Sequence, residues 1–175
     1  MAETRRVEPK ASRPNMPGYG IVDEHSGKGL LPWNWAVERL SRGHNYWVAT
    51  TRPDGRPHSM PVWGVWVNDR FCFSTGERSR KARNLAGNPY CVVSPESAAE
   101  AVVMEGIAEQ VTDPDLLRRA GDAYYAKYQW KLDPALGPIF VVRPRLVYGF
   151  IEYQMTVTAT RWVFDDATST SRGVA

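Results

Sequence analysis

Apolar residues recur at helical spacing in two stretches of the chain. Trp33, Ala36, Val37 and Leu40 form one stripe, which predicts a helix over about residues 32–41, ended by Gly43. Leu117, Ala120, Tyr124 and Tyr128 form the other, behind Asp113-Pro114, a cap followed by proline at the first helical position. Most other apolar residues are β-branched or aromatic, in short runs bounded by turn residues, and they predict strands. These cover residues 46–51, 57–67, 70–75, 90–94, 101–111, 139–142, 146–153 and 158–164. Pro53-Asp54-Gly55 reads as a turn, and Asn68-Asp69 as a two-residue hairpin loop.

At least six strands in close succession, with two or three helices inserted, predict a mainly β (α+β) fold: an antiparallel barrel with helices packed outside. A doubly wound parallel sheet is excluded, because strands and helices do not alternate regularly. Residues 1–29, rich in Pro, Gly and charge, predict a partly disordered start and an extended arm, with residues 16–21 docking on the body or a partner. Residues 30–165 form the barrel domain and 166–175 a flexible tail.

One strand is unusual. Over residues 57–67 both faces are apolar, with Met60, Val62 and Trp66 on one side and Pro61, Trp63, Val65 and Val67 on the other. Such a strand is buried on both sides, against core and against a helix, a subunit or a flat ligand. Pro61 cannot donate to a ladder and marks an edge or a bulge.

Composition narrows the function classes. A net charge of +3 gives no footprint for nucleic acid. Cys72 and Cys91 sit in apolar runs without CxxC spacing, and His25, His44 and His58 lack metal-motif spacing, so no metal site is expected. The polar first 17 residues contain no apolar core of a secretory signal, and no apolar run is long enough to span a membrane. A cytoplasmic protein is expected.

The candidate chemistry lies in Phe73-Ser74-Thr75-Gly76-Glu77-Arg78-Ser79-Arg80-Lys81-Ala82-Arg83-Asn84-Leu85. A strand turns at Gly76 into a helix over about residues 79–86, with Ser79 as N-cap. Arg80 and Lys81 fall in the first turn, where the helix dipole is positive and carboxylates are preferred. An anion there would let the terminal N–H groups and the cations converge on one ligand. A solvated basic turn is the alternative.

Two motifs taken together, Asp54-Gly55-Arg56-Pro57-His58-Ser59-Met60-Pro61-Val62-Trp63 and Ser79-Arg80-Lys81-Ala82-Arg83-Asn84-Leu85-Ala86-Gly87-Asn88-Pro89, resemble the pyridoxamine 5′-phosphate oxidase-like split β-barrel superfamily. The nearest branch is the flavin/deazaflavin oxidoreductases of the B type. The resemblance implies a homodimer with cofactor sites at the subunit interface, a small-molecule substrate, and coenzyme F420 or alternatively FMN. It implies a phosphate held by Ser79, Arg80 and Lys81 with Asn84 nearby, and Ser74, Thr75 and Gly76 running past the cofactor. His58, Ser59, Met60, Pro61 and Val62 would pass the ring, and Arg56 would reach the cofactor from its turn. The strand His58-Ser59-Met60-Pro61-Val62-Trp63-Gly64 lacks the Arg–Lys pair of the vitamin B6 oxidases, which favours a deazaflavin. No acid/base pair is apparent; His58 is the one titratable group beside the expected ring. An F420- or FMN-dependent reductase, a non-catalytic cofactor carrier and a general anion- or nucleic-acid-binding module are the three readings.

Overall fold

The computed structural model describes residues 8–21 and 27–164, so the expected tail and residues 1–7 of the arm lie outside the described residues. In chain order the elements are β1 (Lys10–Ser12), α1 (Trp33–Arg42), β2 (Tyr46–Thr51), β3 (Pro57–Val62), β4 (Gly64–Val67) and β5 (Arg70–Ser74). There follow α2 (Arg80–Gly87), β6 (Tyr90–Pro95), β7 (Glu100–Gln110), α3 (Pro114–Tyr128), β8 (Ile139–Ile151), α4 (Met155–Thr158) and β9 (Thr160–Val163). All pairings are antiparallel. The path runs β1-β9-β8-β7-β6-β2-β3, with β5 joining β8 to β4. Because β3 pairs with β2 and β4 with β5, the chain passing from β3 to β4 at Trp63 closes the barrel. No helix among the described residues is long and apolar enough to cross a membrane.

Three expectations change. The predicted strand over residues 57–67 breaks at Trp63, where the chain turns from one sheet partner to the other. Its first half is an edge, as Pro61 indicates, but Met60 is 48% exposed and Pro61 is also exposed, so it is not buried on both sides within this chain. The predicted strands over residues 139–142 and 146–153 are one strand, β8. Pro144 is tolerated because no strand pairs with it on the edge shared by β5 and β9, and Arg145 bulges opposite Glu105/Gly106. The arm, expected to begin disordered and continue extended with residues 16–21 docking, contributes an earlier strand, β1, to the free edge of β9. Arg13 anchors it, donating to the Ala159 and Lys28 carbonyls.

Two apolar clusters fill the fold. The barrel interior joins Tyr46, Val48, Phe71, Phe73, Met104 and Trp162 to Ala36 and Leu40 of α1 and to Ala82 and Leu85 of α2. A second cluster packs Leu116, Ala120 and Tyr124 of α3 on Val65, Cys72 and Val141.

The C-terminal end of α3 also fixes the barrel's corner. Tyr128 Oη accepts the Gly64 N–H at 2.9 Å and donates to the His44 carbonyl at 2.8 Å. Lys127 Nζ serves the Gly64 carbonyl at 3.1 Å, Ser41 O at 3.1 Å and Tyr46 Oη at 2.7 Å. Burial brings the Lys127 ammonium down to about 8, against a weaker opposing pull from Glu96. Between pH 8 and about 10 the folded chain has released this proton while an ordinary unfolded lysine still holds it, so stability from this group rises with pH. Tyr128, pushed up to about 12 chiefly by burial, acts in the opposite sense once the unfolded phenol ionises above about pH 10. Urea unfolding followed from about pH 7.5 to 11 is expected to show the rise and then the fall. Lys127→Met is expected to lose the rise and keep the fall.

Candidate functional site

The site forms where the end of β2, the edge strand β3 and the start of α2 meet. Local sequence dictates the α2 entry. Ser79 is extended (φ −66°, ψ 157°) and its Oγ accepts the Ala82 N–H at 3.1 Å. Thr75 Oγ1 donates to the same oxygen at 3.0 Å, and Ser79 N–H closes the turn onto Gly76 O at 2.9 Å. With both lone pairs of Ser79 Oγ engaged, its proton is left to donate outward.

Cross-strand pairing sorts the β3 residues. His58, Met60 and Val62 pair with Thr50, Val48 and Tyr46, which are buried, so they face the barrel side. Pro57, Ser59 and Pro61 pair with Thr51, Ala49 and Trp47 on the outer face. The fully buried Asn84 reaches across from α2 and donates to Thr50 Oγ1 at 2.9 Å. Thr50 Oγ1 in turn lies 3.4 Å from the His58 carbonyl. One helix is thus tied through one hydroxyl to the edge strand.

The electrostatics are one-sided. Lys81 is only 9% exposed and makes no ion pair among the described residues; burial holds its ammonium below the ordinary range. Burial also lowers the His58 imidazole, and Arg52, Lys81 and Arg80 lower it further. Three buried polar atoms here have no protein partner: His58 Nδ1, Asn84 Oδ1 and Arg52 Nε. Buried polar groups are ordinarily paired; of these three, Arg52 Nε–H and a protonated His58 Nδ1 can donate to an anion, whereas Asn84 Oδ1 is an acceptor.

The structure therefore gathers His58, Thr75, Ser79, Arg80, Lys81 and Asn84, with Gly76 forming the turn. Met60 and Val62 share the barrel-side face of β3 with His58, Ser59 and Pro61 lie on its outer face, and Arg56 and Ser74 are engaged elsewhere. Arg56 is held in its own turn by Asp54 at 2.6 Å, because the tight turn brings the guanidinium back onto that carboxylate. Ser74 hydrogen-bonds Tyr124, because alternate β5 residues face α3. The sequence reading missed Arg52. It lies two residues beyond Thr50, and its N–H pairs with Arg56 O across the hairpin. Strand parity puts it on the face of Thr50, and the register that pairs Thr50 with His58 brings it to that side.

The sequence profile of the pyridoxamine 5′-phosphate oxidase family matches residues 36–149, well over half of the chain. The chain belongs to this family. A pyridoxine/pyridoxamine 5′-phosphate oxidase of Bacteroides thetaiotaomicron is 31% identical over 125 residues, covering 66% of this chain and 54% of that protein. The chain thus spans about half the length of the curated family member it matches. A solved F420 reductase is 28% identical, with a TM-score of 0.51 over 63% of this chain and 93% of its own. A conserved hypothetical protein of Mycobacterium tuberculosis shares the fold at 20% identity, with a TM-score of 0.62 over 85% of this chain and 99% of its own. The matched family and its curated relative are named as oxidases, and the 28% identical structure as a reductase.

Proposed function

We propose that this chain is an oxidoreductase that uses reduced coenzyme F420 to deliver a hydride to a small unsaturated or planar substrate. The observation that carries the reading is the buried, unpaired Lys81 at the start of α2, beside Arg80 and the unpartnered Arg52 Nε and His58 Nδ1. That donor set fits a phosphate group. Ser79 Oγ–H, Lys81 Nζ and the first N–H groups of α2 would hold it, with Arg52 and Arg80 balancing its charge. The neighbouring F420 reductase structure supports the deazaflavin over other phosphate-bearing ligands.

When bound, the deazaflavin supplies the hydride. The protein's part is to bind, orient and exclude water. The free backbone edge of β3 offers N–H and C=O groups to a flat ring, and Met60 and Val62 offer an apolar surface beside it. The outer face of the same sheet leaves Trp47 49% and Tyr90 63% exposed. A second copy of the chain covering this face would complete the cofactor site, and light scattering of the purified protein checks the dimer mass.

Fluorescence titration of the cofactor-free protein with F420, FMN and riboflavin tests the reading. F420 is expected to bind with a Kd of about micromolar order, and riboflavin, which lacks the phosphate, to bind far more weakly. Tighter binding of FMN than F420 would move the assignment to an FMN-dependent oxidoreductase of the same fold. Binding without reduction of any unsaturated acceptor would leave a cofactor carrier. Failure to bind either phosphate-bearing cofactor would overturn the proposal.

A further inference from the structure

His58 is placed to respond to whatever occupies the anion cradle. It lies across the hairpin from Thr50, and its ring nitrogen Nδ1 is buried without a partner among the described residues. The charged groups acting on it are all cations: Arg52 from the end of β2, and Lys81 and Arg80 from the first turn of α2. The only carboxylate of the adjoining turn, Asp54, is engaged by Arg56. Burial and three cations oppose a proton on the imidazole. The backbone of His58 itself pulls weakly the other way. An anion seated among the same cations removes their opposition and offers the buried Nδ1 a charged acceptor.

We propose that His58 takes up a proton when an anionic group binds beside Lys81, so that capture of the ligand and protonation of the site are coupled. This rests on the anion-cradle reading of α2. It makes affinity fall as pH rises, by up to about tenfold per pH unit between the free and bound midpoints of His58, and level off outside that window. The imidazolium adds a fourth positive charge and one more donor to the cradle, where the phosphate is expected.

The chain has three histidines, so their ring C–H signals in carbon–proton NMR are resolvable, and His58→Gln assigns one of them. With the protein cofactor-free, the His58 midpoint is expected below the ordinary value of about 6.5. With saturating FMN or F420 it is expected to rise by at least about one unit. Calorimetry at neutral pH in two buffers of different ionisation heat is expected to show net proton uptake for the wild type that is absent in His58→Gln. If FMN or F420 binds and the His58 midpoint does not rise, or if the uptake survives in His58→Gln, the coupling is wrong and the cradle stands. If neither ligand binds, the cradle reading and the coupling fall together.

Discussion

Lys81→Met is expected to weaken binding of F420 or FMN by about ten- to a hundredfold, the equivalent of roughly 1.5–3 kcal/mol for a lost charge-assisted hydrogen bond. Methionine is preferred to alanine because the lysine stem is packed: Lys81 is as buried as its neighbours Ala82 and Leu85. Met keeps that volume and removes only the charge. The fold should not suffer. Burial already disfavours the ammonium, and no carboxylate among the described residues pairs with it, so neutral methionine relieves a desolvation cost that the empty site bears alone. Fluorescence titration read beside urea unfolding of the cofactor-free protein separates the two effects. Unchanged affinity would remove Lys81 from the site. A loss of stability matching the loss of affinity would make it a packing residue.

The elements written by local chemistry were legible in the sequence. Asn68 and Asp69 both adopt left-handed φ (51° and 57°), as their two-residue hairpin demands. Ser79 caps α2 because a serine hydroxyl at that position satisfies an otherwise orphaned N–H. Asp113 does the same for α3, accepting from Asp115 N–H at 3.0 Å. Elements that depend on distant partners were not legible. Lys10-Ala11-Ser12 carries no strand pattern and becomes β1 only because β9 presents a free edge and Arg13 ties the arm down. Pro144 reads as a strand break, yet its missing N–H falls where β8 has no neighbour on that side.

The candidate site divides along the same line. The misplaced cations of α2 were visible because a charge at a helix start can be judged from three or four consecutive residues. Arg52 was not, because its relevance comes from the β2–β3 register, which brings it to the side of His58. Arg56 was over-read for the converse reason: its neighbour two positions back, Asp54, neutralises it locally. The apolar character of both faces of β3 was correctly seen. Within this chain Met60 and Pro61 stand exposed on the edge, so the expected burial on both sides is not met here.

Gly64→Ala is expected to destabilise the fold by about 3 kcal/mol, at the upper end for an overpacked core position. A Cβ at residue 64 would lie 2.2 Å from Phe71 Cζ, 2.6 Å from Phe71 Cε2 and 2.9 Å from Cys72 O. Neither neighbour can yield cheaply. Phe71 is fully buried, packed against the tilted Tyr46 ring and stacked on Phe73, with ring centroids 4.6 Å and 6.0 Å away, while Cys72 O belongs to the backbone of β5. Gly64 is also the residue that Lys127 and Tyr128 hold, and Trp63 beside it stacks on Tyr128 at 4.8 Å. Displacing it therefore moves the corner from which β3 departs toward the cradle. The variant is expected to lose cofactor affinity in addition to stability, although residue 64 touches neither Lys81 nor His58 in sequence or pairing. Tyr128→Phe isolates the second effect. It removes the hydroxyl that accepts Gly64 N–H while retaining the Trp63 stack, and it should lower affinity severalfold at a stability cost of about 1 kcal/mol. Full affinity in Tyr128→Phe, measured by the same titration, would mean that the corner holds the barrel closed without positioning the edge strand for its ligand.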